Sequence, residues 1–174
     1  LEIVNDLLAC PLCVSAEMFT LLHENGCDIA FPAEPVGSGS LISQEMFEEW
    51  VVPSLKKLKE KLPFYKYFYA HVCGESGNRV AALRECGVNV FSVDYLVDFE
   101  KAVEAAGEKM VMMGNINPAG TLLTGTPSEV YKEACERIKI ANGHSHILAP
   151  GCDLGADTPL ENVKMLSKAC KDMA

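Results

Sequence analysis

The chain has 174 residues, of which 49% are hydrophobic, and its formal net charge of −9 at pH 7 gives a pI near 4.9. This length suffices for one domain with a hydrophobic core, and no linker or change of composition divides it, so we predict a single domain over residues 1–174. An acidic chain without a basic stripe argues against nucleic acid as a partner, because such binding displaces counterions from phosphates.

Two helices are predicted at the start of the chain. Apolar residues recur at helical spacing from Leu1 onward, and Pro11 should break or kink this first helix. A second helix is predicted from Leu12 to Glu24, and Asn25-Gly26 forms a favourable C-cap behind it.

Strands and helices then alternate. The predicted strands are Asp28–Phe31, Tyr65–Val72, Val88–Val93, Lys109–Met113 and His146–Ala149. The predicted helices are Gln44–Lys61, Asn78–Cys86, Val97–Ala106, Ser128–Ala141 and Leu160–Met173. Alternation of this kind implies an α/β fold with parallel strands and right-handed crossovers.

Three helix starts carry capping signals. The segments that begin at Thr126 and Thr158 share the order Thr-Pro-x-Glu, which predicts an N-cap threonine, a first-turn proline and a capping-box glutamate. Ser43 is predicted to cap the helix that follows the first strand.

The eight cysteines do not suggest disulfides. Five of them fall in helical patterns and Cys27 begins a strand, so reduced thiols in a cytoplasmic setting fit best. No apolar run approaches the roughly 20 residues that a bilayer-spanning helix needs, so we expect no membrane partner.

The most informative residues are His71, Cys73 and Cys152. His71 and Cys73 lie two apart at the end of a predicted strand and therefore point the same way. Cys152 follows the last predicted strand, so two strand ends would bring one nitrogen and two sulfurs together. Three protein ligands with an open fourth position is typical of catalytic zinc. The alternative from the residues alone is a free Cys152 and a His71 that only forms hydrogen bonds.

Several motifs resemble one family. The segments HVCG (from His71), GNINP (from Gly114) and LAPGCD (from Leu148) are similar to the zinc-dependent methyltransferase branch of the uroporphyrinogen decarboxylase superfamily. The likeness covers essentially the whole chain. It implies that the chain is the C-terminal part, about five β/α units, of a (β/α)8 barrel whose members are about twice this length.

The resemblance also implies roles for the residues at the strand ends. His71, Cys73 and Cys152 would bind Zn²⁺, and Asp94 would be either a reversible fourth ligand or an acceptor that holds His71 or a loop amide. Glu34 and Asn115 would line the funnel for the substrate or the corrinoid. The alternative for Glu34 is that it caps a turn before Gly37, and the alternative for Asn115 is a structural role in the polar interior. His144 and His146, also two apart, lie at the start of the last strand, away from this rim.

The implied activity is methyl transfer between a methylcobamide, carried by a partner corrinoid protein, and a small-molecule thiol such as coenzyme M; bacterial relatives can instead demethylate a methyl donor. One alternative is uroporphyrinogen decarboxylase, which uses no metal and has histidine where this chain has Cys152. The other is a non-catalytic corrinoid-binding protein with structural zinc. An open five-stranded sheet would also favour a homo-oligomer.

Overall fold

The computed structural model describes residues 2–174, and Leu1, predicted to open the first helix, lies outside the described residues. Helix α1 runs from Glu2 to Glu24 without interruption, with Pro11 inside it. The prediction of two separate helices is therefore wrong, although a proline inside a helix costs one hydrogen bond.

Helix α1 also corrects the expectation about apolar runs. By length and composition alone its segment Asp6–Glu24 could cross a membrane, with only 6% of that segment buried in the structure. Helices of soluble proteins satisfy the same criterion, so this is weak evidence for a membrane. The apolar side chains Leu7, Val14 and Leu21 are exposed on this helix.

The remaining elements alternate as predicted. The strands are β1 (Ile29–Ala30), β2 (Tyr67–Val72), β3 (Val90–Val93), β4 (Val111–Ile116) and β5 (His146–Pro150). Helix α2 begins as Gln44–Met46, passes through a π-helical turn, Phe47–Val51, and continues as Val52–Lys61. The other helices are α3 (Val80–Glu85), α4 (Phe99–Ala106), α5 (Thr121–Thr124), α6 (Pro127–Ala141) and α7 (Leu160–Met173), and α5 was not predicted.

All five strands are parallel and lie in the order β1-β2-β3-β4-β5. Side chains on opposite faces of β2 alternate between two environments. Phe68, Ala70 and Val72 are buried beneath the helices, whereas Tyr67, Tyr69 and His71 point to the other face and are half-buried or exposed. We call this second surface, which carries His71, the inner face of the sheet.

The caps agree with the sequence at two of three helices. Ser43 accepts from the Met46 amide, and Thr126 forms a complete capping box with Glu129. The third prediction is wrong, because α7 has Pro159 as its N-cap and Thr158 forms no capping hydrogen bond. The buried Asn162 in the first turn of α7 donates to the carbonyls of Leu122 and Gly125. With this tertiary contact in place, the N-cap of α7 lies one residue later than the predicted Thr158.

Candidate metal centre

The carboxyl ends of β2 and β5 bring the predicted ligand side chains together. Nε2 of His71 lies 3.2 Å from Sγ of Cys73 and 3.9 Å from Sγ of Cys152, and the two sulfurs are 3.9 Å apart. Among the residues that the structure describes, these three make the one cluster of potential metal ligands, with all ligand atoms within 4.8 Å of one another. Parallel strands end at the same edge of a sheet, so residues 79 and 81 positions apart can meet there.

These distances fit one face of a zinc coordination tetrahedron. With Zn–S near 2.3 Å and Zn–N near 2.05 Å, tetrahedral geometry requires about 3.8 Å between two sulfurs and about 3.6 Å between sulfur and nitrogen. The observed sulfur–sulfur separation of 3.9 Å is close to the first value, and the nitrogen–sulfur separations of 3.2 and 3.9 Å lie on either side of the second. One imidazole and two thiols are also the donor types that zinc prefers. The residues present therefore fit a zinc ion.

The ring of His71 is oriented by Ser92, which the sequence analysis did not identify. Ser92 lies opposite His71 in the register of β2 and β3, and both its carbonyl oxygen and its hydroxyl oxygen lie 3.0 Å from Nδ1 of the imidazole. A carbonyl oxygen can only accept, so Nδ1 carries the proton and Nε2 is left to act as the ligand. The signal in the sequence was a lone hydroxyl in an otherwise apolar strand.

Asp94 holds the backbone beside Cys73. One carboxylate oxygen accepts from the Gly74 amide at 2.8 Å and the other from the Leu96 amide at 3.0 Å. The side chain is buried, and it is not a member of the ligand cluster. Gly74 itself has φ of +68°, a conformation that glycine adopts without strain. The geometry thus corresponds to the reading in which Asp94 holds a loop amide.

Gly151 lets the Cys152 loop approach the end of β3. A Cβ atom at this position would lie 2.4 Å from the backbone nitrogen of Tyr95, a distance that excludes any side chain. The Gly151 amide also donates to the Ile116 carbonyl at 2.8 Å. These two contacts fix the residue before Cys152, and so determine where the second sulfur lies.

Asn115 has a structural environment. It is buried, and its side-chain nitrogen donates to the carbonyls of Asp94 and Val97, each at 3.0 Å. Asn115 therefore supports the loop after β3, while its Oδ1 is buried without a hydrogen-bond partner. A direct role in the funnel stays a prediction.

Glu34 lies beside His71 on the chain that extends β1. Its amide donates to the His71 carbonyl at 2.8 Å, and burial raises the pKa of its half-buried carboxyl group, an effect that a backbone hydrogen bond from Gly37 partly offsets. The following loop is held by Arg79, which is fully buried and donates to the Gly37 carbonyl at 3.1 Å and the Ile42 carbonyl at 2.7 Å. Nothing in the sequence distinguished Arg79 from an exposed arginine.

A cavity of about 430 Å³ opens next to the ligand atoms. It is mostly apolar, and Glu34, Asp94 and Asn115 are not among the residues that line it. Its walls are Phe31, Ala33, Pro35, His71, Cys73, Ser92, Met113, Pro150, Cys152 and Asp153. The ligand cluster is thus open to a space that a small molecule could occupy.

In the absence of metal the thiol of Cys73 is held in its protonated form. Burial, with smaller contributions from Cys152, Asp94 and Asp153, raises the pKa of Cys73 from 9.0 to about 11. A metal ion must displace that proton to gain a thiolate ligand, so binding is expected to release protons and to strengthen with rising pH.

The rival histidines lie elsewhere. Nε2 of His146 donates to the Gly114 carbonyl at 2.7 Å, and the ring packs against Phe99 with centroids 5.0 Å apart. His144 is exposed before β5 begins. Neither residue contributes to the ligand cluster.

Comparison with known proteins agrees with this architecture. The profile of the uroporphyrinogen decarboxylase (URO-D) family matches residues 2–173. The chain is 29% identical over 150 residues to the methylcobamide:CoM methyltransferase MtbA of Methanosarcina acetivorans, covering 86% of this chain and 43% of the relative. It is 30% identical over 128 residues to the uroporphyrinogen decarboxylase of Trichodesmium erythraeum, covering 74% of this chain and 34% of the relative.

The solved structure of a methyltransferase from Methanosarcina mazei is also similar, with a TM-score of 0.84 and 29% sequence identity over 93% of this chain and 47% of that one. This likeness and the five-stranded parallel sheet confirm the prediction of an α/β fold that is part of a (β/α)8 barrel. The chain spans less than half the length of each of these proteins.

Proposed function

Because the chain belongs to the uroporphyrinogen decarboxylase family, we propose that it is part of a zinc-dependent methyltransferase that moves a methyl group between a corrinoid and a small-molecule thiol. The observation that carries the proposal is the cluster of His71, Cys73 and Cys152, open to a cavity at the carboxyl edge of the sheet. The names of relatives such as methylcobamide:CoM methyltransferase support the reaction class.

Each residue of the site has a task in this proposal. Cys73 and Cys152 supply two negative charges as thiolates, and His71, with Nδ1 committed to the Ser92 carbonyl, supplies a neutral nitrogen. Zinc, when bound, favours the thiolate form of a thiol that occupies its open position. Asp94 fixes the Gly74 amide and thereby the backbone beside Cys73, so the ligands need little reorganisation.

The overall transfer is a two-electron displacement at carbon. The sulfur of the thiolate forms a bond to the methyl carbon, the cobalt–carbon bond breaks, and the electron pair of that bond remains on cobalt, which passes from Co(III) to Co(I). The thiol proton is released to solvent. The apolar walls formed by Phe31, Met113 and Pro150 would exclude water from the reacting sulfur. We place the reaction in a reducing cytoplasm, where thiol ligands persist.

The test is methyl transfer by the complete zinc-loaded protein that contains this chain, with methylcobalamin and a thiol as substrates; the absorbance of Co(I) and the thioether product are measured. Transfer that is lost in Cys152→Ala supports the proposal. Zinc binding without transfer would favour the non-catalytic corrinoid-binding alternative. Metal-independent decarboxylation of uroporphyrinogen would favour the decarboxylase, although a decarboxylase has no need of two thiols and an imidazole within 4.8 Å of one another.

A further inference from the structure

The ionisable groups around the cavity have one sign. Among the residues that the structure describes, and apart from the three proposed metal ligands, the cavity is lined by a single ionisable side chain, the carboxylate of Asp153, and by neither lysine nor arginine. Asp153 is exposed, lines the cavity directly after Cys152, and carries a carboxylate close enough to the cluster to contribute to the raised pKa of Cys73.

The neighbouring strand ends do not reverse this charge. Glu34 after β1 and Asp94 after β3 are also acidic. Arg79, in the connection after β2, is fully buried and directs its guanidinium to the carbonyls of Gly37 and Ile42, away from the cavity lining. The described side of the site therefore presents negative potential to an incoming molecule.

From this arrangement we propose that Asp153 is a specificity-determining residue that disfavours anionic thiols and favours thiols with a neutral or cationic tail. The inference rests on the proposed function, in which a thiol occupies the open side of the metal site. A thiol whose sulfur reaches the metal would place a group two carbons away within several ångströms of the Asp153 carboxylate, because Asp153 adjoins Cys152 in the chain. Among the described side chains that line the cavity, apart from the proposed metal ligands, the Ser92 hydroxyl is the one group that could donate to an anionic tail.

Electrostatics sets the size of the effect. With the dielectric constant of bulk water, two unit charges about 7 Å apart interact strongly enough to change an equilibrium by about threefold. Removing the Asp153 charge should lower the binding affinity for a cationic thiol by about that factor and raise the affinity for an anionic thiol by about that factor. The affinity for a neutral thiol should stay unchanged. Raising salt to about 1 M should abolish these differences, because the Debye length falls to about 3 Å.

The experiment measures thiol binding, not catalysis. The 174-residue chain is loaded with Co²⁺ as a spectroscopic substitute for zinc, and its absorption bands are titrated with three thiols that share a two-carbon chain: cysteamine, 2-mercaptoethanol and 2-mercaptoethanesulfonate. For each thiol the dissociation constant of Asp153→Asn is divided by that of the unmodified chain, so intrinsic differences in thiol acidity cancel.

Ratios of about 3, 1 and one third for the cationic, neutral and anionic thiols support the proposal. Asp153→Glu should keep all three ratios near one. Asp153→Lys should lower the ratio for the sulfonate further than Asp153→Asn does. Asp157→Asn, an exposed carboxylate of the same loop outside the cavity lining, is the matched control and should leave all three constants unchanged.

Equal ratios for the three thiols would overturn the role of Asp153 and leave the proposed function standing. If no thiol perturbs the Co²⁺ bands, the proposed function fails and the inference fails with it. Cobalt stoichiometry and circular dichroism of each variant show that the fold and the ligand cluster persist, which is expected because the Asp153 side chain is exposed.

Discussion

The imidazole of His71 and the carbonyl of Ser92 are joined across β2 and β3 by a hydrogen bond of 3.0 Å. This bond places the proton on Nδ1 and turns Nε2 toward the sulfur of Cys73, 3.2 Å away. The orientation of this candidate nitrogen ligand is therefore set by the sheet itself.

From this geometry we expect the chain to bind about one zinc ion through His71, Cys73 and Cys152. Replacing either cysteine by alanine should remove most of the metal, because a pair of ligands holds zinc far less tightly than three. Metal content is measured by mass spectrometry after dialysis. The matched control is Cys170→Ala, an exposed cysteine on α7. Zinc that stays at wild-type stoichiometry in both Cys73→Ala and Cys152→Ala would refute the site.

Asp94 should affect metal affinity through the backbone. Asp94→Ala releases the Gly74 and Leu96 amides, so the loop that carries Cys73 loses its anchor. We expect zinc affinity to fall about 10–100-fold in competition with a chelator. Asp98→Ala, which removes an exposed helix cap, is the control and should leave the affinity unchanged. An unaltered affinity in Asp94→Ala would show that the carboxylate is irrelevant to the centre.

The two Thr-Pro-x-Glu segments should respond differently to mutation. Thr126→Ala removes a capping hydrogen bond and should lower the free energy of unfolding by about 1 kcal/mol. Thr158→Val should leave it unchanged or raise it, because the buried Thr158 hydroxyl has no hydrogen-bond partner within the described part of the chain. Urea denaturation of metal-free protein measures both. Equal losses in the two variants would mean that Thr158 caps α7 in solution.

His146 should make stability depend on pH. Burial lowers the pKa of His146 from 6.5, so the unfolded chain binds a proton more readily than the folded one. The contribution of the neutral His146 to the free energy of unfolding is complete above pH 6.5. This contribution is lost as the pH falls toward the depressed pKa of the folded state. His146→Gln keeps a donor for the Gly114 carbonyl but cannot titrate, and should reduce this dependence.

The measurement is the urea midpoint of metal-free protein between about pH 7.5 and pH 5.5. His144→Gln is the control, since that histidine is exposed. An identical pH dependence in His146→Gln and the unmodified chain would contradict the assignment.

We also predict that the isolated chain self-associates. β1 and β5 are the edges of the described sheet, and Phe31, Tyr67 and Ile147 are exposed on its inner face. Light scattering at micromolar concentration should report species larger than a monomer. Ile147→Lys should reduce association more than Leu160→Lys, an exposed apolar position at the start of α7. A monodisperse, stable monomer would show that this face needs no cover.

The sequence by itself determined the alternation of strands and helices, because hydrophobic periodicity and capping residues are local signals. It also predicted that His71, Cys73 and Cys152 lie together, since parallel strands must end at one edge and each of these residues adjoins a strand end. The helix boundaries predicted from Pro11 and Thr158 were wrong. Their local signals were outweighed, at α1 by continuation of the helix and at α7 by the contacts of Asn162.

Only the tertiary structure decided what surrounds the ligands. Ser92 faces His71 through strand register, Asp94 reaches Gly74 across 20 residues, and Gly151 lies against Tyr95. These relationships depend on distances of a few ångströms between separate β/α units. Periodicity within one element reports which face a side chain occupies, but not what lies opposite it, so sequence reasoning could propose the candidate ligands and not the residues that support them.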